Sequence, residues 1–346
     1  MRNPDFNNFL KMLRREPADR PVLYEWYIDW GAIGRLLGPR MRDPDQPPFG
    51  WVRNAMDAYV EFGHDAVSLG VPGFGFPTGR DAQHKETISQ NEGGVIFDDA
   101  SFENYPWPDP DKIVVKKTET VQSYLDIVAS CCPEGMKVIM MSGGVMETLV
   151  NLVGFDNVCL MVHDRPDLVE KICREIGTRI NRFFEITMAH PVVGAGSIAD
   201  DWGYKTSTLL SPEILRRHIF PWHEQIAATM HAAGKPAILH ACGKVDEVMD
   251  DVIDGMKYDA KHSFEDVILP VEEAYEKWGR RIAILGGFDV QFLSGAKPEA
   301  VYTRAKNILQ QTRARGGYAL GTGNSVTNYM PLENYLAMCR AVKEGY

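Results

Sequence analysis

Eight short apolar runs, each closing at or near glycine or a polar residue, constrain the fold of this 346-residue chain more than any other feature. They are Pro21 to Tyr27, Ala66 to Val71, Val138 to Ser142, Val193 to Ala199, Ala237 to Cys242, Tyr258 to Phe264, Ile282 to Phe288 and Tyr318 to Thr322. Helix-length patterns separate the later runs: Pro166 to Ala189, Ser211 to Ala233, Asp246 to Met256, Val271 to Trp278 and Pro298 to Arg315. From Asp246 onward, Val248, Met249, Val252, Ile253 and Met256 recur at helical spacing with Asp and Glu opposite. Strands alternating with helices pair in parallel, and eight such units favour a closed ring over an open sheet. The expected fold is α/β, a single (β/α)8 TIM barrel domain over residues 1–346. Phe6, Phe9, Leu10 and Leu13 share one helical face before Pro17 and Asp19, so residues 1–20 read as an N-terminal helical extension.

Two stretches stand outside the repeat: Leu36 to Trp51, with Pro39, Pro44, Pro47 and Pro48, and Gly73 to Lys112, rich in Gly, Asp and Pro. Each follows an early strand, which would set both as long loops over the C-terminal mouth of a barrel. A merely decorated surface is the alternative for the Pro-rich stretch.

Thirty-seven Lys and Arg against 47 Asp and Glu leave a net charge of -10 with no basic stripe, so nucleic acid is not an expected partner. No apolar run reaches the 18 or more residues of a membrane span, and the charged, proline-broken start has no leader character, which points to a cytoplasmic protein. The six cysteines show no repeating spacing and read as thiols. Charge alone does not favour self-association, although barrels can form a homodimer through apolar helix faces.

In a barrel the reactive groups belong at the C-terminal ends of strands. Those ends carry Glu25 and Tyr27, Gly70, Ser142, Asp200 and Asp201, His240 and Cys242, Lys261 and Glu265, Asp289, and Thr322 and Asn324. Glu25, Tyr27, Asp200, Asp289, Thr322 and Asn324 are expected to meet substrate. The sharpest local signal is Ile238-Leu239-His240-Ala241-Cys242-Gly243, where strand alternation turns Ile238, His240 and Cys242 to one face. Imidazole and thiol are the pair zinc prefers, although a buried Cys is often a small apolar filler and a buried His only hydrogen-bonded.

On the next run, alternation separates Asp259, Lys261, Ser263 and Glu265 from Tyr258, Ala260, His262 and Phe264. The polar set is expected to face the barrel, which leaves His262 among the helices and brings Glu265 beside Cys242 as a third ligand. An exposed loop carboxylate is the other reading of Glu265. Lys261 is either a Schiff-base lysine or, preferred here, a partner of Asp259 or Glu265 in a salt bridge. Asp200-Asp201 is either a carboxylate pair moving a proton, with Asp201 favoured, or turn and capping chemistry. The Gly-rich strand ends form no dinucleotide or P-loop fingerprint; they can cradle an anion or serve as plain turns.

The order of segments resembles the uroporphyrinogen decarboxylase superfamily, which includes cobalamin-dependent methyltransferases. The resemblance is carried by Arg15-Glu16-Pro17-Ala18-Asp19-Arg20-Pro21-Val22, Asp200 to Glu213, Pro221 to Gly243 ending in His-Ala-Cys-Gly, and Gly286-Gly287-Phe288-Asp289. The decarboxylases of this group carry an Arg-rich segment after the first strand and an Asp ending the second. Here Glu25-Trp26-Tyr27-Ile28-Asp29 and Gly70-Val71-Pro72 occupy those places, so porphyrinogen decarboxylation is not expected. The methyltransferase branch, and the similar zinc barrel of cobalamin-independent methionine synthase, imply zinc on His240 and Cys242, with Glu265 matching the latter's carboxylate. Thr322 stands where a further Cys would be, which leaves a position open for water or substrate. The implied activity is zinc-dependent methyl transfer between a methyl-corrinoid (cobalamin), free or on a corrinoid protein partner, and a thiol or folate-type small-molecule acceptor. The competing expectations are a metal-free decarboxylase or lyase using Asp201 or Lys261, and a catalytically silent barrel that binds a corrinoid or tetrapyrrole.

Overall fold

The computed structural model describes residues 2–46, 49–79, 89–115 and 119–346, so Pro47, Pro48 and part of the Gly73 to Lys112 stretch lie outside the described residues. All eight apolar runs form strands: β1 Val22–Leu23, β2 Ala66–Leu69, β3 Lys137–Gly143, β4 Val193–Ala199, β5 Ala237–His240, β6 Ala260–His262, β7 Ala283–Leu285 and β8 Tyr318–Leu320. They build one curled sheet in the order β1-β8-β7-β6-β5-β4-β3-β2, with every pairing parallel. The sheet's two edge strands, β1 and β2, are bridged by a side chain, Ser68 Oγ donating to the Glu25 carbonyl at 2.7 Å. Flanking helices complete the expected α/β barrel architecture.

Alternation divides each strand between two cores. Val22, Tyr24, Ala66, Ile139, Ala195, Ile238, Ala260, Ala283, Leu285 and Ala319 meet along the barrel axis, and the N-terminal helix Phe6–Leu13 adds Phe6, Phe9, Met12 and Leu13 to them. Small residues on several strands leave room at the axis, and this helix fills it from the N-terminal end of the strands. The other face, including Val67, Val138, Ile198, Leu239 and Ile284, packs beneath the helices. The long helix Pro166–Met188 buries Ile172, Ile176, Ile180 and Phe184, one helical turn apart, against this outer layer.

Two helical expectations change in detail. The Ser211 to Ala233 pattern splits into Pro212–His218 and Phe220–Ala232, because Pro221, in the first turn of the second helix, has no N–H to continue the hydrogen-bond ladder of the first. The Asp246 to Met256 pattern becomes a tight turn at Asp246–Val248 followed by a widened turn at Asp251–Gly255, closed by Met256 N donating to Asp251 O at 2.8 Å. The stretch after β2 adds the helix Asp99–Asn104 and an antiparallel pair, Val114–Val115 with Glu119–Thr120. Among the described residues no single helix is long and apolar enough to cross a membrane.

At the N-terminal end, the fully buried Asp65 carboxylate takes Arg2 at 2.7 Å, Arg20 at 2.6 Å and the Asp5 backbone N–H at 2.9 Å. This cluster ties the axial helix to the start of β2. Removing the carboxylate strands the Arg2 guanidinium, whose side chain is only 9% exposed. Asp65→Ala is therefore expected to lower unfolding free energy by about 3 kcal/mol, measured as a shifted urea midpoint at neutral pH.

Candidate active site at the barrel mouth

Strands β5 and β6 pair in the register Ile238↔Ala260, Leu239↔Lys261 and His240↔His262. Since Ile238 and Ala260 point to the axis, His240 and His262 do too, while Lys261 points out. This reverses the expected faces of β6. Lys261 lies beneath the helix layer, 1% exposed, with Nζ 4.1 Å from the Phe264 ring centre and donating to the Ser263 carbonyl. Burial lowers its pKa to about 8. The preferred salt bridge is also not formed, because Asp259 accepts from His231 Nε2 and from Ala237 N, both at 2.8 Å. Among the described residues Lys261 has no ion pair, and the axis-facing position expected for it is taken by His262.

His262 orders the site. Its Nε2 lies 2.9 Å from the Thr322 carbonyl and its Nδ1 lies 2.8 Å from His240 Nδ1. Burial holds both imidazoles neutral, His262 down to about 3 and His240 well below its ordinary value. On the far side of the His240 ring, Nε2 lies 3.4 Å from Cys242 Sγ and 3.8 Å from Asp201 Oδ1. With a neutral imidazole, the 3.8 Å approach is not an ion pair but a convergence of donor atoms.

Asp201, His240 and Cys242 thus offer oxygen, nitrogen and sulfur, all within 4.8 Å of one another. Ligand atoms about 2.0–2.3 Å from one tetrahedral zinc lie about 3.3–3.6 Å apart. The donor set fits that ion, the 3.4 Å from His240 Nε2 to Cys242 Sγ falls in this range and the 3.8 Å to Asp201 Oδ1 lies just beyond it. The Cys242 backbone N–H donates to Asp201 Oδ1 at 2.8 Å, and Asn324 Nδ2 donates to Cys242 Sγ at 3.3 Å. Burial, followed by Asp201, pushes the Cys242 thiol up; a bound cation opposes both causes. The carboxylate here is Asp201, not Glu265. Glu265 lies outside this group and lines a separate polar cavity of about 650 Å³ with Lys205, Asp289 and Asn324. Asp201 follows β4, two strands before the β6 strand that leads to Glu265, and the sequence reading assigns it to proton transfer instead of metal binding.

Several other expected contact residues are structural. Asp200 is fully buried: Oδ1 accepts from Glu147 N at 2.7 Å, and Oδ2 from Met146 N and Trp202 Nε1 at 3.0 Å and faces His223 Nε2 at 2.8 Å. It thereby caps the helix Val145–Val153 from a neighbouring strand, and Gly144 is required because a Cβ there would fall 2.2 Å from that of Asp200. Glu25 is 1% exposed, receiving Thr322 N at 2.9 Å and Thr322 Oγ1 at 2.6 Å. Neither Asp200, Glu25 nor Thr322 reaches an open surface. Asp289 caps the helix Val290–Gly295 through Phe292 N at 2.7 Å, and Tyr27 stands on the rim, 40% exposed.

The sequence reading missed two groups besides His262. Glu147, in the first turn after Gly143-Gly144, has its carboxyl raised to about 8 by burial, then by Asp201 and Asp200. Trp26 lays its ring 4.8 Å from that of His240. Trp26 also walls a cavity of about 320 Å³ at the ends of β2 and β3, with Phe74, Phe76 and Met141 as further apolar walls. Its polar points include Thr78, Ser142 and Asn151, and among the described residues no charged side chain lines it. The aromatic-rich run Tyr24-Glu25-Trp26-Tyr27 after the first strand was the available signal for Trp26.

The chain belongs to the uroporphyrinogen decarboxylase (URO-D) family, whose sequence profile matches residues 83–345. No curated protein matches the sequence. Among solved structures, a methyltransferase from Methanosarcina mazei shares the fold at 18% identity and a TM-score of 0.76, over 97% of each chain. Two structures of the pneumococcal exo-β-D-N-acetylglucosaminidase StrH align at 11% identity and TM-scores of 0.39 and 0.38. They cover 85% of this chain and 78% and 80% of those chains, too remote to bear on function.

Burial raises the Glu25 carboxyl to about 8. Because the unfolded chain ionises this group near its ordinary value, the folded state binds more protons between about pH 4.5 and 8, and stability falls as pH rises through that window. Glu25→Gln mimics the neutral acid toward Thr322. It is expected to remove a slope of about 1.4 kcal/mol per pH unit, read from urea unfolding at pH 5, 6, 7 and 8.

Proposed function

We propose that this protein is a zinc-dependent methyltransferase that moves a methyl group from a methyl-corrinoid, free or on a carrier protein, to a small thiol. The convergence of Asp201, His240 and Cys242 at the mouth carries this reading. Bound there, zinc supplies a Lewis acid that keeps a coordinated thiol deprotonated near neutral pH. Asn324 steadies negative charge on Cys242 through its Nδ2–H, and the Cys242 N–H orients the Asp201 carboxylate. Trp26 excludes water from one face of His240 and opens the other way onto the apolar cavity.

That cavity favours an uncharged reactant. A folate-type acceptor or a porphyrinogen brings carboxylates, which proteins ordinarily meet with Arg or Lys, and neither is found among the described residues of these walls. The outward turn of Lys261 speaks against a lyase that uses this lysine at the mouth. Tyr27, Tyr204, Val267 and Tyr329, in loops that follow barrel strands, and Trp30, at the start of the helix Trp30–Leu37, are 37% to 68% exposed, and they support a carrier protein seating on the rim. All six cysteines are free thiols, in keeping with a cytoplasmic enzyme.

Elemental analysis of the purified protein tests the reading. Near one zinc per chain is expected, lost in His240→Ala and Cys242→Ser, and methyl transfer from methylcobalamin to an uncharged thiol should disappear with it. A metal-free wild-type protein that still turns over would overturn the zinc mechanism. Borohydride treatment in the presence of candidate carbonyl substrates should leave Lys261 unmodified by mass spectrometry; an adduct there would instead favour Schiff-base chemistry.

A further inference from the structure

His262 is fully buried at the mouth and takes no direct part in the chemistry proposed above. Its position is nevertheless tightly determined. The β5–β6 register sets it opposite His240, the Tyr24 ring packs edge-on at 5.3 Å, and Gly286 passes so close that a Cβ there would lie 2.6 Å from His262 Nε2.

The hydrogen bonds specify where its protons sit. A backbone carbonyl only accepts, so the 2.9 Å contact to Thr322 O places a proton on His262 Nε2. Among the described residues His262 has no carboxylate partner that would hold a second proton, so its Nδ1 carries a lone pair. The 2.8 Å gap between the two Nδ1 atoms then needs one proton, and His240 must supply it. With Nδ1 protonated, a neutral His240 has its lone pair on Nε2, the atom directed at Cys242 Sγ and Asp201 Oδ1.

We propose that His262 is a positioning residue that locks His240 in the Nδ1–H tautomer and so presents Nε2 as a ligand to a divalent metal ion beside Cys242 and Asp201. The metal half of this statement rests on the zinc reading above; the tautomer half does not. Partners that fix a ligating imidazole in this way commonly contribute about 10- to 100-fold in metal affinity. The Thr322 backbone acts as the anchor, and Glu25 in turn holds Thr322 through its N–H and hydroxyl.

Histidine-selective 15N NMR of the metal-free wild-type protein, together with zinc affinity by chelator competition, tests the proposal. His240 is expected to show a protonated Nδ1 and an unprotonated Nε2, and His262 the reverse. His262→Leu should release the His240 tautomer and weaken zinc about 10- to 100-fold, whereas His262→Gln, able both to accept from His240 and to donate to Thr322, should stay within a few-fold of wild type. A proton on His240 Nε2 in the wild-type protein would overturn the proposal, as would zinc held equally tightly by folded His262→Leu. If His262→Leu does not fold, the wild-type spectrum and the Gln variant still decide it. The expected tautomers in a wild-type protein that binds no zinc would overturn the metal half and uphold the positioning of His240.

Discussion

The parallel register of the barrel strands is the constraint on which this site depends. Strand alternation presents one residue in two to the axis, and the pairing of Ile238 with Ala260 makes the choice for two strands at once. Two residues further on, the same parity delivers His240 and His262 to one point. A slip of one residue on β6 would put Lys261 against the imidazole and remove its hydrogen-bonded partner. The alanines at the axis matter for the same reason, since they leave space that the N-terminal helix fills without pushing the strands apart.

Around that point the mouth is organised in two levels. Carboxyl groups that never meet solvent do structural work: Asp200 caps the helix after β3, and Glu25 seizes Thr322. Groups able to meet a ligand or ion are fewer: Asp201, Cys242 and the Nε2 edge of His240, with Glu147 behind them and Trp26 alongside. A buried carboxylate with several N–H donors is satisfied and rigid, whereas Asp201 keeps 37% of its side chain exposed and retains acceptor capacity. Burial therefore separates two adjacent aspartates into different roles, which their shared chemistry does not.

Much of the architecture was legible beforehand because it rests on local periodicity. All eight apolar runs became strands, and Val271 to Trp278 became a helix with the same limits. His240 and Cys242 were legible because they share one strand, where a spacing of two has a single meaning. Glu265 and Lys261 misled because their polarity suggested an inward face, yet the inside of β6 is set by its neighbour and not by the hydrophilicity of its side chains. Lys261 is tolerated outside the axis because the Phe264 ring and the Ser263 carbonyl receive its ammonium group.

By itself the sequence determined the alternation of strands and helices, the parallel barrel, and the His-x-Cys pair at the end of the fifth strand. Each follows from residues within one or two turns of chain, where backbone geometry fixes which side chains share a face. Only the tertiary structure decided which carboxylate joins that pair, which face of β6 looks inward, and which polar groups are sealed. Those choices depend on register between strands and on packing partners 22 to 297 residues apart along the chain, from His262 beside His240 to Thr322 beside Glu25. Hydrogen bonds and burial at such separations are properties of the assembled barrel, and no local pattern encodes them.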